Sequence, residues 1–420
     1  MRIIPLLLLL LPAVALADGM VTYHTEVGPA EAVQVEAEAQ RAALWFRGGA
    51  WELTIQPRFP RGVGGAAWIV PFPTVPAVST ASSDFLDALE TLTAPVFIPY
   101  CLEITDSGGG LFGCGGAATG MKDGGGRAGP GESGVVVWAA GETHALEWVV
   151  LEAPGAAPII EWLDQEGYRV PGILEETPEV LDGQVIFAAK LKADLDPSLP
   201  LPPMTFRLPG VGYEEIIYPL RLTAAVAPAD GMELLLWLIT PSSPPTPGAL
   251  APGNIPWLPH LGWDVDRAQW EVDAGTLRTA FPPAGGLVLE YNGVPGDDAL
   301  FKGWPLVPPG GWAEVMPEEA GLQLPAAWPV EVEDIAAQGY RVARLRGRLT
   351  AAGMAEDLAF VVVPEDQVPR VGNVIWREVP CDRIDGDTET ARAPLRPWVG
   401  AGVLGLAGLL SLGLLRRIRG

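Results

Sequence analysis

Two uncharged apolar runs bracket the chain of 420 residues, so whatever folds as a globule has to lie between them. The first, residues 3–16, follows a lone Arg2 and closes on Ala15-Leu16-Ala17, the layout of a secretory signal peptide with a small-residue cleavage site. The expected mature N terminus is then Asp18, which offers no cysteine for lipidation. The second run, 398–415, spans about 27 Å as a helix, just enough for a bilayer core. Trp398 opens it and Arg416, Arg417 and Arg419 follow it, which fits an aromatic residue at the outer interface and positive charge inside. The expected layout is a signal peptide at 1–17, an ectodomain, a transmembrane helix at 398–415 and a cytoplasmic tail at 416–420. The protein would sit in the cell membrane as a single-pass chain, with its ectodomain periplasmic or extracellular. A core helix would not end in a free arginine-rich terminus. A bacterial sorting tail removed by processing stays open as an alternative.

Charge follows the same division. The chain has 27 Lys and Arg against 51 Asp and Glu, net −24; without Arg2, Arg416, Arg417 and Arg419 the ectodomain has 23 against 51, net −28. Such a surface repels phosphate backbones, so nucleic acid is not an expected partner. Gly400-x-Gly402-x-x-Gly405 matches a dinucleotide fingerprint in letters only. It lacks the preceding strand and the later acidic residue, and its small residues suit close helix contact in lipid.

Between the ends, 51 glycines and 43 prolines make up more than a fifth of the chain, which points to turns and short strands rather than a helical bundle. Trp51, Leu53 and Ile55 alternate with Glu52, Thr54 and Gln56 as a strand's two faces do. Further strands are expected at 67–70, 135–138, 146–151, 185–191, 204–208, 216–222, 234–239, 286–291 and 359–363. Pro71, Pro73 and Pro76 forbid a helix and a central-strand ladder there. Short helices are expected at 85–92, capped by Ser83 or Asp84, and at 159–165 and 332–338. Residues 107–134 read as a Gly-rich loop. Seven prolines in 241–259 mark a linker or a stiff loop. It parts a β-rich segment 18–240 from a second one, 260–380, before a stalk at 381–397; one domain or two is left open. The fold class is α+β, β-rich with short helices, plus the C-terminal membrane helix.

Several stretches share an order and spacing with a known family. They include Ala67-Trp68-Ile69-Val70-Pro71-Phe72-Pro73-Thr74-Val75-Pro76, Phe85-Leu86-Asp87-Ala88-Leu89-Glu90-Thr91-Leu92-Thr93-Ala94-Pro95 and Trp162-Leu163-Asp164-Gln165-Glu166-Gly167-Tyr168-Arg169-Val170-Pro171. Residues 217–223 and 342–350 agree as well. Over roughly residues 18–365 the chain resembles the bacterial domain-of-unknown-function family 2330. The resemblance implies an exported protein, often with one C-terminal membrane helix, and no assigned activity. Cysteines that members often carry after the signal peptide are replaced here by Asp18-Gly19-Met20.

A search for chemistry returns little. Cys101 and Cys114 are the favoured disulfide in an oxidising compartment, worth about 3 kcal/mol by loop entropy, which leaves Cys381 free or bridging to another subunit. Their spacing fits no zinc signature. His24, His144 and His260 are isolated in sequence, and His144 abuts an expected strand. Asp106-Ser107-Gly108 has no second copy for an aspartic-protease pair. Gly131-Glu132-Ser133-Gly134 is no nucleophile elbow, and 116–122 fails the P-loop pattern. Asp382, Asp385, Asp387 and Glu389 miss calcium-loop spacing; Asp264, Asp266, Asp297 and Asp298 read as exposed turn residues. No cofactor and no metal are expected. Among 15 tryptophans, Trp257, Trp263 and Trp270 form a conceivable stacking platform, although packing beneath sheets accounts for most. The reading is a membrane-anchored extracytoplasmic binding or structural module of the cell envelope, with another envelope protein or a glycan as partner. An envelope hydrolase with a spatially assembled site, or a surface protein released by C-terminal processing, is the alternative.

Overall fold

A computed structural model of the chain describes residues 20–23, 39–58, 66–100, 135–166, 181, 183–192, 201–224, 227–259, 283–306, 316–317, 322–372 and 374–378. These residues form eighteen strands and five α-helices, labelled below in chain order. The centre is an eight-stranded sheet. Its order is β14 (Trp257–Pro259), β15 (Gly285–Gly293), β16 (Arg341–Leu349), β12 (Met232–Thr240), β2 (Ala39–Arg47), β3 (Ala50–Arg58), β10 (Met204–Leu208) and β5 (Ala77–Thr80). β12 runs parallel to β2 and β14 to β15, while the other pairs are antiparallel. A second, antiparallel sheet has the order β1 (Met20–Tyr23), β4 (Ala66–Phe72), β9 (Val185–Leu191), β8 (Leu146–Glu152) and β7 (Val136–Glu142). Two smaller sheets join β11 (Ile217–Tyr218), β17 (Leu358–Val363) and β13 (Ala249–Pro252), and β18 (Val374–Glu378) with β6 (Val96–Tyr100). The helices are α1 (Ser83–Thr93), α2 (Ala156–Gln165), α3 (Arg221–Ala224), α4 (Ala299–Lys302) and α5 (Val330–Ala337).

Strand alternation sorts the central sheet into two cores. Leu44 of β2, Leu53 of β3, Leu236 of β12 and Phe206 of β10 pack with Trp68, Phe72 and Phe187 of the second sheet. Phe206 lies 4.7 Å from Phe72 and 4.8 Å from Phe187 between ring centroids. On the opposite face Trp45, Leu235, Trp237 and Ile239 meet Phe85, Leu86, Leu89 and Leu92 of α1 and Val332 and Ile335 of α5. The layers are thus sheet on sheet on helices, a β-rich α+β fold whose helices are short.

The strands expected at 185–191 and 204–208 are β9 and β10 residue for residue. Three expectations change. The cap of α1 is Ser82, whose hydroxyl accepts the N–H of Asp84 at 3.1 Å, rather than Ser83 or Asp84. The strand expected at 216–222 stops after Tyr218, because the Asp357 carboxylate takes the N–H groups of Leu220 and Arg221 at 2.8 and 2.9 Å and starts α3. Pro71, expected outside a ladder, lies in β4 opposite Ile186. Among the described residues β1 pairs with β4 only as far as Ile69, which leaves Pro71 one ladder neighbour, β9. Within 241–259 the chain forms β13 and β14, and β12 before that stretch is a direct neighbour of β16 after it. No described helix is long and apolar enough to cross a membrane, and residues 1–17 and 398–420 lie outside the described residues.

Candidate functional site

The β7–β8 hairpin is closed by Thr143, whose hydroxyl accepts the N–H groups of Ala145 and Leu146 at 3.1 and 2.9 Å. This turn fixes a register in which Gly141 faces Trp148 and Glu142 faces Glu147. Gly141 is required there: a Cβ would come within 2.4 Å of the Trp148 ring, so the indole lies across the bare backbone of the neighbouring strand. Phe187 holds the same indole from the core side, 5.9 Å between centroids. Next to the hairpin, α2 buries Ala156, Ile159 and Leu163 and keeps Trp162 half-buried on its flank.

Between the hairpin and the end of α2 lies an open groove of about 440 Å³, with Trp148 and Trp162 in its wall. That volume suits a small ligand or a few side chains of a partner. Glu142, Glu147, Glu166 and Lys190 supply its charge. Lys190 Nζ donates to the Glu166 carbonyl oxygen at 2.8 Å and approaches its carboxylate at 3.9 Å. Lys192 Nζ meets Glu142 at 3.0 Å. These exposed pairs are weak and salt-sensitive, so the rim is adaptable and acidic on balance. His144 is exposed at the hairpin tip.

A second polar cluster lies on the helix-facing side of the central sheet. Glu52, Thr54 and Gln56 of β3, which a strand half open to water would expose, are buried there. Arg41 donates to Gln56 at 3.1 Å and to Asp87 of α1 at 2.7 Å, and it reaches Glu90 at 3.3 Å. Arg344 donates to Glu290 at 2.6 Å and lies 3.8 Å from Glu90. Burial pushes the Glu90 carboxyl above its ordinary range, against the pull of Arg344 and Arg41. Trp237 Nε1 donates to the Thr93 hydroxyl at 2.9 Å. Each acid here is paired with an arginine or clips a helix to the sheet, so the cluster fixes α1 rather than presenting chemistry to a ligand.

Asp298, expected as an exposed turn residue, instead caps α4 by accepting the Leu300 N–H at 2.8 Å and takes the Tyr291 hydroxyl at 3.2 Å. Burial pushes both groups up. Asp297 is exposed. Trp257 is half-buried in β14, while Trp263 and Trp270 lie outside the described residues. So do Cys101, Cys114 and Cys381, His24 and His260, the 107–134 loop, the Asp106 and 116–122 motifs, Asp264 and Asp266, the acids at 382–389, and the anchor residues Trp398, Arg416, Arg417 and Arg419. Among the described residues no group of three His, Cys, Asp or Glu is arranged to hold a metal ion. The groove was missed in the sequence because its residues come from a hairpin, a helix and β9. The one local signal is a glycine and a glutamate set against a tryptophan and a glutamate across a tight turn.

A family model described as an uncharacterized protein conserved in bacteria (DUF2330) matches residues 24–243. The match takes in the groove and ends before 342–350, a stretch the resemblance had included. No curated protein and no solved structure matches the chain.

Proposed function

The chain belongs to the bacterial DUF2330 family, whose description carries no activity, and we propose from its own chemistry that it is an exported, membrane-tethered binding module of the cell envelope. The observation that carries the binding part is the groove, where the half-buried Trp162 stands beside an acidic rim. An indole supplies large apolar contact area at small entropic cost, which suits recognition. Export and tethering are supported by the leader at 1–17 and by the apolar run at 398–415 with its flanking Trp398 and arginines.

The test is a cross-linked pull-down from native membranes, with the tag after Ala17, comparing the natural chain with Trp162→Ala. One stoichiometric partner recovered by the natural chain and lost by the variant is expected. Equal recovery by both would remove the groove from the account. Recovery of the chain in the soluble fraction without detergent would remove the tether. A solitary protein that cleaves envelope substrates would favour the hydrolase.

A further inference from the structure

Two arginines at one end of the central sheet share a single acid. The register sets Glu52 of β3 between Trp45 of β2 and Arg207 of β10 on the helix-facing side. Arg47, two residues beyond Trp45 on β2, points to the same face. Both oxygens of the buried Glu52 carboxylate are taken: Oε2 accepts Arg47 Nε at 2.7 Å and Oε1 accepts Arg207 Nη1. The arginine side chains themselves are 40% and 41% exposed.

Each guanidinium is held in place. Arg47 lies over the buried Trp45 indole, 4.2 Å from the ring centroid. Arg207 rests against the tight 48–49 turn, where a Cβ on Gly48 would come within 3.3 Å of its Nη2. Arg47 Nη1 and Nη2 and Arg207 Nε and Nη2 have no partner among the described residues. One carboxylate neutralises one guanidinium, so a positive charge is left over on a chain whose net charge is −24. Arg341, Arg346 and Arg348 differ in this respect, since each has an acid of its own in Glu365, Glu233 and Asp230. The acids of α1 do not settle the excess. Asp84, next to the Phe85 that stacks on Trp45, is exposed and pairs with neither arginine. Asp87 and Glu90 are turned to Arg41 and Arg344.

Water can satisfy these N–H groups but not the charge. A guanidinium donates in a planar fork and accepts nothing, so its matching partner is an anionic oxygen pair. The geometry points to a second binding site, independent of the groove, where Arg47 and Arg207 receive one oxyanion group of an otherwise uncharged molecule. That group is a carboxylate or a phosphate monoester. A polyanion is disfavoured, because beyond this pair it meets an acidic surface. Since both cations are already fixed by Glu52, Trp45 and the turn, little ordering is left to oppose binding.

The test uses the full chain in neutral detergent with glucuronate, glucose 6-phosphate and glucose, followed by saturation-transfer NMR titration. At least one charged sugar is expected to bind about ten-fold more tightly than glucose, and less tightly as salt rises. Which of the two binds distinguishes carboxylate from phosphate. Arg47→Gln and Arg207→Gln are each expected to weaken that binding about ten-fold, while Arg348→Gln and Trp162→Ala leave it unchanged. Glu52 keeps one arginine in either variant, and thermal melts check the fold. Arg207→Lys, which keeps the charge and loses the fork, should fall between Arg207→Gln and the natural chain. Failure of both charged sugars to bind, equal binding of glucose, or unchanged binding by Arg47→Gln and Arg207→Gln overturns the inference. An equal loss in Arg348→Gln would make the attraction diffuse and overturn it too. A loss in Trp162→Ala would move the anion to the groove and likewise overturn it.

Discussion

Arg344 and Glu290 are 3% and 1% exposed as side chains, yet they hold each other at 2.6 Å inside the central sheet. Glu290→Met leaves a guanidinium buried without its closest carboxylate and is expected to cost about 3–5 kcal/mol. Adding Arg344→Met should recover much of that loss, short of what Glu90 forfeits at 3.8 Å. Denaturant unfolding of both single variants and the double variant checks this; strictly additive losses would refute the coupling. Asp357 makes a different demand. Burial pushes its carboxyl up to about 6, although two backbone N–H groups on Oδ1 pull the other way and Oδ2 has no hydrogen-bond partner among the described residues. An acid raised in the folded state favours the fold when protonated. Its contribution is complete below the unfolded value of about 3.9 and is lost as pH rises through the folded value, for about 3 kcal/mol in all. Asp357→Asn keeps an oxygen for both N–H groups and carries no charge, so that part of the pH dependence should vanish. Between pH 4 and 7 the melting temperature of the natural chain should fall relative to the variant as pH rises, and a constant difference would refute it. None of these three residues announces itself in sequence. Alternation separates the faces of 341–349 but does not say that both faces are covered.

At the level of elements, periodicity reads well and caps read less well. The stripe Phe85, Leu86, Leu89 and Leu92 locates α1 within a few residues because its apolar spacing is that of a helix with one buried face. The cap is a matter of one backbone geometry, and Ser82 looks no different in a string of letters from Ser83 and Asp84, the two caps expected from sequence. Ser82 is extended, with φ −72° and ψ 140°, and its hydroxyl faces the first turn. Ser82→Ala is expected to cost about 1 kcal/mol, while Ser83→Ala leaves stability nearly unchanged. Paired thermal melts of the two variants decide it; equal losses would move the cap. The strand expected at 216–222 shows the complementary failure. Its apolar content is real, since Leu220 and Leu222 are buried, but a carboxylate from far along the chain claims the N–H groups a ladder would need. No local window contains Asp357. The groove shares that difficulty, because Trp162, Glu147 and Lys190 meet only after β7, β8, β9 and α2 are assembled.

Across the whole molecule, β2, β12 and β16 lie side by side although they come from positions 39–47, 232–240 and 341–349. The prolines of 241–259 look like a boundary because each removes a backbone donor, but the strands they end are ones that tolerate the loss. β13 closes on Pro252 at the edge of its sheet, and β14 closes on Pro259 at the edge of the central one. Cutting there would strip β16 from β12 and bare Leu235 and Trp237, which are fully buried in the intact chain. Exposing that much apolar surface outweighs the few kcal/mol that hold a domain together. The fragments 18–240 and 260–380, produced separately, should therefore lack cooperative unfolding and protected amides, while 18–397 keeps both. Mixing the two fragments should restore protection in β12 and β16, since their pairing is the contact that the cut removes. Circular dichroism melts and amide exchange on each fragment, alone and mixed, make the comparison. Two fragments that each unfold cooperatively, at midpoints matching two transitions in the longer chain, would show that the shared sheet is not what joins the halves.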